Sequence, residues 1–305
     1  MPKLLDLVKK LYQILNTKNS NDMLNKLLFA NESINQFFDE EIDIESTDTK
    51  NNSDEKIIWQ LWLQGEEKAP PIIQKCFSSV KRHCKDYQIN VLDLNSIKNY
   101  IEIPDFIWKK YQEKKISNTH FSDYVRTCLL AKYGGVWLDS TVYLTDSIPQ
   151  EILNQDFFIF KSPLWLHYGK VPTENLFNAF LKIDRSAGCC GSNWFIVSKK
   201  NNEIIQKQKK LLEKYWKIEN KTIHYFLYHL LLSKLLIKTK SCAEIYNNML
   251  SICNKEPHLL QNNLHQKYDE DLFNEIKKLS SIHKLTYKKD NIIKDSFLEF
   301  LINNN

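Results

Sequence analysis

The sequence predicts an α/β fold, a sheet flanked by helices. Three observations carry that reading. Short apolar runs rich in β-branched and aromatic residues alternate with longer stretches of helical periodicity. One such run, IIWQLWL at 57–63, is stopped by Gly65 and reads as a buried strand. Another, Val136-Trp137-Leu138, follows a helical stretch through Gly134-Gly135 and reads as a second buried strand.

The elements follow in order. Leu4, Leu7, Val8, Leu11, Ile14 and Leu15 recur at helical spacing and form an amphipathic helix. That helix could meet a membrane surface or a partner; packing on the main domain is the plainer reading. A second helical stretch covers 22–38. Residues 39–55 are acidic and poor in apolar anchors, as in a linker or exposed loop. The chain therefore divides into a helical N-terminal segment at 1–45, an acidic linker at 46–55 and a main domain at 56–305.

After the first strand, Pro70-Pro71 favours the first turn of a helix. Residues 88–92 read as a strand, with helical segments near 95–101 and 104–114. Thr119 can cap a helix that runs to 133. Asp139 then stands where the next strand ends, and in open α/β sheets ligands gather at the carboxyl ends of strands. Further strands are expected at 157–160 and 194–198. Helices follow at about 202–218, 222–238, 241–250 and 269–280, and HKLTYK at 283–288 is a late short strand or loop.

Composition narrows the class. At 305 residues, with 43% hydrophobic and 26% charged side chains, the chain is neither disordered nor a disulfide-stapled miniprotein. The net charge of +5 is uneven: 1–55 is acidic and 199–305 is basic. A mild basic surplus suits anionic ligands such as nucleotides, or an anionic membrane surface. It is too diluted by acids for nucleic acid, and no groove-reading motif occurs. The seven cysteines include one vicinal pair and no CxxC, which fits free thiols in a reducing cytosol. Charges interrupt the first 15 residues, unlike a signal peptide. The apolar stretch 225–237 contains His229 and Lys234 and is too short for a bilayer span. A soluble or peripheral chain is expected.

Several residues could carry chemistry. Asp123 and Arg126 are three apart on one helix face. Together they could bind sugar hydroxyls or a phosphate; an ordinary surface ion pair is the plainer alternative. Arginine is scarce, at 82, 126 and 185 only, which points to a need for planar bidentate geometry at Arg126. In Asp139-Ser140-Thr141, Asp139 could give a hard cation one carboxylate and Thr141 a hydroxyl. A turn or cap role is the plainer one. Strand alternation puts Trp59 and Trp62 on opposite faces, so one at most can stack on a nucleobase while the other joins the core. Asn193 could reach a polar ligand, and His224, His283, Lys284 and Lys288 could contact a diphosphate.

Three blocks in order, KIIWQLWLQGEEKAP, HFSDYVR and KYGGVWLDSTVYLT, resemble the capsular polysaccharide synthesis proteins. That family lies within the sugar-nucleotide glycosyltransferases that carry an Asp-x-Asp motif. GSNWFIVSKKN, YFLYH and IHKLTYK extend the resemblance over roughly 56–290. It implies a GT-A fold with helical additions and a nucleoside-diphosphate sugar donor, in the first place a UDP-hexose. It also implies a divalent Mn²⁺ or Mg²⁺ ion and retention of anomeric configuration. By the same resemblance Asp123 and Arg126 touch the donor sugar, and Asp139, with Thr141, stands at the metal and diphosphate. Trp59, Gln60 and Trp62 lie near the nucleotide, joined by Asn193, and His283 and Lys284 close over the diphosphate. The wider set has a second Asp where this chain has Thr141. The implied acceptor is a lipid-linked oligosaccharide or polysaccharide at the inner membrane face of the cytoplasm, with the N-terminal helix as peripheral contact. Two other classes compete: a non-catalytic sugar-nucleotide or glycan-binding partner, and a membrane-surface scaffold.

Overall fold

The computed structural model describes residues 18–39, 42, 56–182, 184–288 and 291–304. The helix expected at 4–15 and the acidic linker at 46–55 lie outside them. Seven strands are described: β1 (Ile57–Leu61), β2 (Gln88–Leu92), β3 (Gly135–Leu138), β4 (Val142–Leu144), β5 (Phe157–Lys161), β6 (Gly191–Ser198) and β7 (Ile282–Lys284). Five of them form one sheet in the order β2-β1-β3-β6-β5, and β4 pairs with β7 in a small second sheet. The expected α/β class is present as a mixed sheet with many helices.

The large sheet has two halves. β2, β1 and β3 are parallel, whereas β6 runs antiparallel to both β3 and β5. Parallel neighbours need crossover segments, and helices supply them. Pro71–His83 lies between β1 and β2, and Asp105–Gln112 and Asn118–Tyr133 lie between β2 and β3. β1 is buried at all five positions, as a strand covered on both faces must be. Alternation sends Trp59, Trp137, Ile159 and Ile196 into one core with the helices Asn118–Tyr133, Glu203–Ile218 and Leu227–Lys238. Ile58, Val136, Leu138, Phe195 and Val197 enter the core on the other face.

The turn from helix Asn118–Tyr133 into β3 is built on two glycines. Gly134 and Gly135 have φ of +72° and +95°. A Cβ at Gly135 would sit 2.6 Å from the Ile57 carbonyl oxygen, so the backbone approaches β1 as only glycine allows. This turn aims β3, and with it Asp139.

The described part of the N-terminal segment joins the main core. Leu27 and Ala30 of helix Lys18–Ser33, then Ile34 and Phe37, are buried in the same cluster, and Phe37 packs 5.4 Å from the Tyr215 ring. The sequence reading missed some local detail. Ser117, not Thr119, caps the central helix, its Oγ accepting from His120 N at 3.3 Å. The helix expected from 222 begins at Leu227, and the one near 95–101 is a single 3₁₀ turn, Ser96–Asn99. All seven cysteines are unpaired and five are buried. Among the described residues, no helix is long and apolar enough to cross a membrane.

Candidate active site

Three strand pairings bring distant residues to one place. Trp59 lies opposite Trp137 in the parallel β1/β3 pair, so Trp62 and Asp139 emerge at the same edge of the sheet. β6 runs the other way with Phe195 opposite Leu138, which places Trp194 O to accept from Asp139 N at 2.8 Å. Pairing of β4 with β7 sets Lys284 opposite Val142, and Leu285 N donates to Thr141 O at 2.8 Å. The result is a cleft of about 550 Å³, within the size range of small-molecule sites. Trp62, Arg126, Asp139, Thr141, Lys284 and Tyr287 are among its lining residues.

The middle of helix Asn118–Tyr133 is buried almost all round, so Asp123 and Arg126 face the interior. The side chains of Asp123 and Arg126 are each 4% exposed, which excludes an ordinary surface ion pair. Arg126 is the hub. Its Nη2 lies 3.3 Å from Asp123 Oδ1 and 3.4 Å from Asp139 Oδ1. Its Nη1 donates to the Asn193 backbone oxygen. Asn193 Nδ2 in turn donates to Asp123 Oδ1 at 3.0 Å. The guanidinium carbon lies 5.1 Å from the Trp137 ring and 5.7 Å from the Tyr228 ring, both within cation–π range. The planar fork of arginine meets this many partners where a point charge could not.

Asp139 is gripped from two sides. Trp137 Nε1 donates to its Oδ1 at 2.9 Å, and Lys284 Nζ donates to its Oδ2 at 3.0 Å. Lys284 Nζ also donates to Thr141 Oγ1. The two carboxylates therefore titrate apart. Burial raises the Asp123 pKa, and the charge of Asp139 adds to the rise against the opposing pull of Arg126. For Asp139, burial also pushes upward, but Lys284, Arg126 and the Trp137 indole together outweigh it and hold the acid below its usual value.

The divalent cation implied by the family resemblance does not fit these residues. Asp139 is the one carboxylate among the lining residues. Both its oxygens are engaged by Trp137, Arg126 and Lys284, and the Thr141 hydroxyl accepts from Lys284. Among the described residues, no three His, Cys, Asp or Glu side chains converge as metal ligands. Two unit charges 4 Å apart repel by about 4 kcal/mol at near-surface screening, so a divalent ion beside the Lys284 ammonium would meet about twice that.

The other expected residues separate. Trp59 is core: its Nε1 donates to Gly134 O at 2.9 Å and its ring packs on Tyr100 and Tyr133. Trp62 lines the cleft with its edge against Tyr287, at a ring separation of 5.3 Å. Gln60 is fully buried, with no described partner for either amide atom, and does not line the cleft. His283 is also fully buried, its Nε2 3.0 Å from Thr145 Oγ1; the strand alternation that turns Lys284 toward the cleft turns His283 away from it. His224 does not line the cleft, whereas Lys288 does.

The sequence reading missed Tyr225 and Tyr287 on the cleft wall, and His229, which does not line the cleft but feels the charges of Arg126 and Asp139. His229 Nδ1 is buried without a described partner. Burial, then the charge of Arg126, lowers its pKa to about 3, so the ring is neutral. Tyr287 lies three residues beyond Lys284 in the late block, a proximity that could have drawn attention to it.

A family model described as capsular polysaccharide synthesis protein matches residues 9–301. A protein named glycosyltransferase afumC, from Aspergillus fumigatus, is 31% identical over 106 residues, covering 32% of this chain and 27% of that one. The O-glycosyltransferase PaGT of Phomopsis amygdali is 28% identical over 171 residues, covering 53% and 39%. The chain thus spans well under half the length of these curated relatives. Among solved structures, the PaToxG glycosyltransferase matches at a TM-score of 0.36 and 15% identity, over 73% of this chain and 82% of that one. The family match spans nearly the whole chain and includes every residue of the Asp123–Arg126–Asp139–Lys284 network, so this chain belongs to the capsular polysaccharide synthesis protein family.

Proposed function

We propose that this protein is a glycosyltransferase that moves a hexose from a nucleoside-diphosphate sugar, in the first place a UDP-hexose, to a glycan acceptor in surface polysaccharide synthesis. The carrying observation is the charge of the cleft. Arg126, Lys284 and Lys288 line it against the single carboxylate of Asp139. With the buried Asp123 beside Arg126 also counted, the balance stays positive, which suits an anionic ligand such as a nucleoside-diphosphate sugar. Trp62 Nε1 and Arg126 Nε are buried donors with no described acceptor, and both residues line the cleft. Trp62 and Tyr287 offer aromatic faces for a base. Both relatives described above carry glycosyltransferase names.

In the proposed reaction the bond from sugar C1 to the diphosphate oxygen breaks, and its electron pair stays on that oxygen. The acceptor hydroxyl oxygen bonds C1, and its proton passes to the departing diphosphate. Cations fixed around the cleft stabilise the charge that develops there. Asp139 is neutralised by two cations and is not a base for the acceptor, which favours retention of configuration. The acceptor we infer is a lipid-linked oligosaccharide or polysaccharide at the cytoplasmic membrane face.

The test is a panel of nucleotide sugars incubated with the purified chain, read as released nucleoside diphosphate with and without added acceptor glycan. Release from one donor is expected. Nucleotide binding with no release under any condition would leave a non-catalytic binder. No binding and no release across the panel would overturn the proposal.

A further inference from the structure

We infer that the cleft handles its diphosphate without a divalent metal, and that the Lys284 ammonium, clamped by Asp139 and Thr141, is the cation that meets it. The inference rests on the donor reading above and goes beyond it, because the family resemblance implies a metal at this position.

The geometry supports the substitution. β7 is held to β4 with Lys284 opposite Val142, so the lysine stem is carried on a paired strand rather than a free loop. Its Nζ donates to Asp139 Oδ2 at 3.0 Å and to the Thr141 hydroxyl. An ammonium has three N–H donors. Two are spent on these anchors, and the third remains for an acceptor in the cleft that Lys284 lines. The lysine side chain is 19% exposed and that of Asp139 is 24% exposed, so both are accessible from the cleft yet shielded enough for charge to count. Asp139 holds Arg126 through one oxygen and Lys284 through the other. It thus acts as a positioning carboxylate for two cations. Thr141 stands where a second aspartate would serve a metal, and its neutral hydroxyl sets no second negative charge against Lys284. When the C1–O bond breaks, the electron pair left on the diphosphate oxygen is met by the Lys284 N–H, with no metal ion required.

The experiment is calorimetric titration of UDP, and separately GDP, into the purified full chain, in excess EDTA and again in excess MnCl₂. The wild type is expected to bind one of them with equal affinity, within about threefold, in both buffers. Lys284→Ala is expected to weaken that binding about 10- to 100-fold in EDTA, the loss of one charge-assisted hydrogen bond. Lys284→Arg should keep most of the affinity, and thermal melts of both variants verify folding. Binding that disappears in EDTA and returns with Mn²⁺ would overturn the inference while leaving the glycosyltransferase reading intact. Unchanged affinity in a folded Lys284→Ala would also overturn it. Binding of neither nucleotide in either buffer would remove both the inference and the donor reading beneath it.

Discussion

Asp123 and Asp139 are held by the same atom: Arg126 Nη2 lies 3.3 Å from an oxygen of the first and 3.4 Å from an oxygen of the second. One guanidinium thus ties the buried face of the central helix to the exit of β3. Removing it leaves a buried carboxylate at Asp123 without its cation, and breaking a buried ion pair from one side costs about 3–5 kcal/mol. Arg126→Ala is therefore expected to lose stability of that order in urea denaturation. Arg126→Lys should regain part of it but not donor turnover, because one ammonium cannot span both carboxylates and the Asn193 carbonyl. A variant as stable as the wild type would show that the network is not structural.

Asp139→Asn separates charge from shape at the same point. The amide keeps the size of the side chain but no longer holds Lys284 and Arg126 by charge. Donor turnover should fall by about 100-fold or more, in the range for a lost electrostatic contact at a developing charge. Circular dichroism should show the fold retained. Normal turnover would remove Asp139 from the site.

The two tryptophans of the first strand region should part company on mutation. Trp59 is 1% exposed and packed between Tyr100 and Tyr133, so Trp59→Ala should cost about 3–5 kcal/mol in urea denaturation. Trp62 lines the cleft, so Trp62→Ala should leave the fold standing and weaken nucleotide binding about 10-fold, the scale of one lost stacking contact. Calorimetry on both variants checks the contrast, and equal effects on binding would refute it.

Gly135→Ala tests the turn that aims β3. The added Cβ would meet the Ile57 carbonyl oxygen at 2.6 Å, at a φ of +95° that disfavours any side chain. Backbone strain and the clash together should cost at least about 2 kcal/mol. A thermal midpoint equal to that of wild type would contradict the close approach.

His283 predicts a pH dependence. Burial lowers its pKa from 6.5 to about 4, so the folded protein keeps it neutral while the unfolded chain protonates it. The unfolded state therefore binds more protons between these values. The stability due to His283 is fully present above about pH 6.5 and is lost as pH falls toward 4. The loss is roughly 2–4 kcal/mol. His283→Gln retains a donor toward Thr145 and should flatten the urea midpoint over this range. A variant with the wild-type slope would assign the dependence to other groups, such as the similarly depressed His229.

The sequence alone determined the pieces. Periodicity located β1, β2, β3 and most of the long helices, because buried strands and amphipathic helices each impose a spacing that one chain displays locally. The scarcity of arginine singled out Arg126, and the end of a strand singled out Asp139. What it could not determine was which pieces meet. β4 and β7 are three residues each, too short for any period to show, and they exist because they pair with one another. That pairing alone sets Lys284 on Asp139. Burial was equally hidden: Asp123 and Arg126 look like a surface pair at i,i+3 until β3, β6 and helix Leu227–Lys238 bring Trp137, Asn193 and Tyr228 against them. Trp59 and Trp62 differ only in the face that each presents, and His283 and Lys284 likewise. Which face becomes core and which becomes cleft depends on what the sheet packs against, a non-local fact that only the tertiary structure decides.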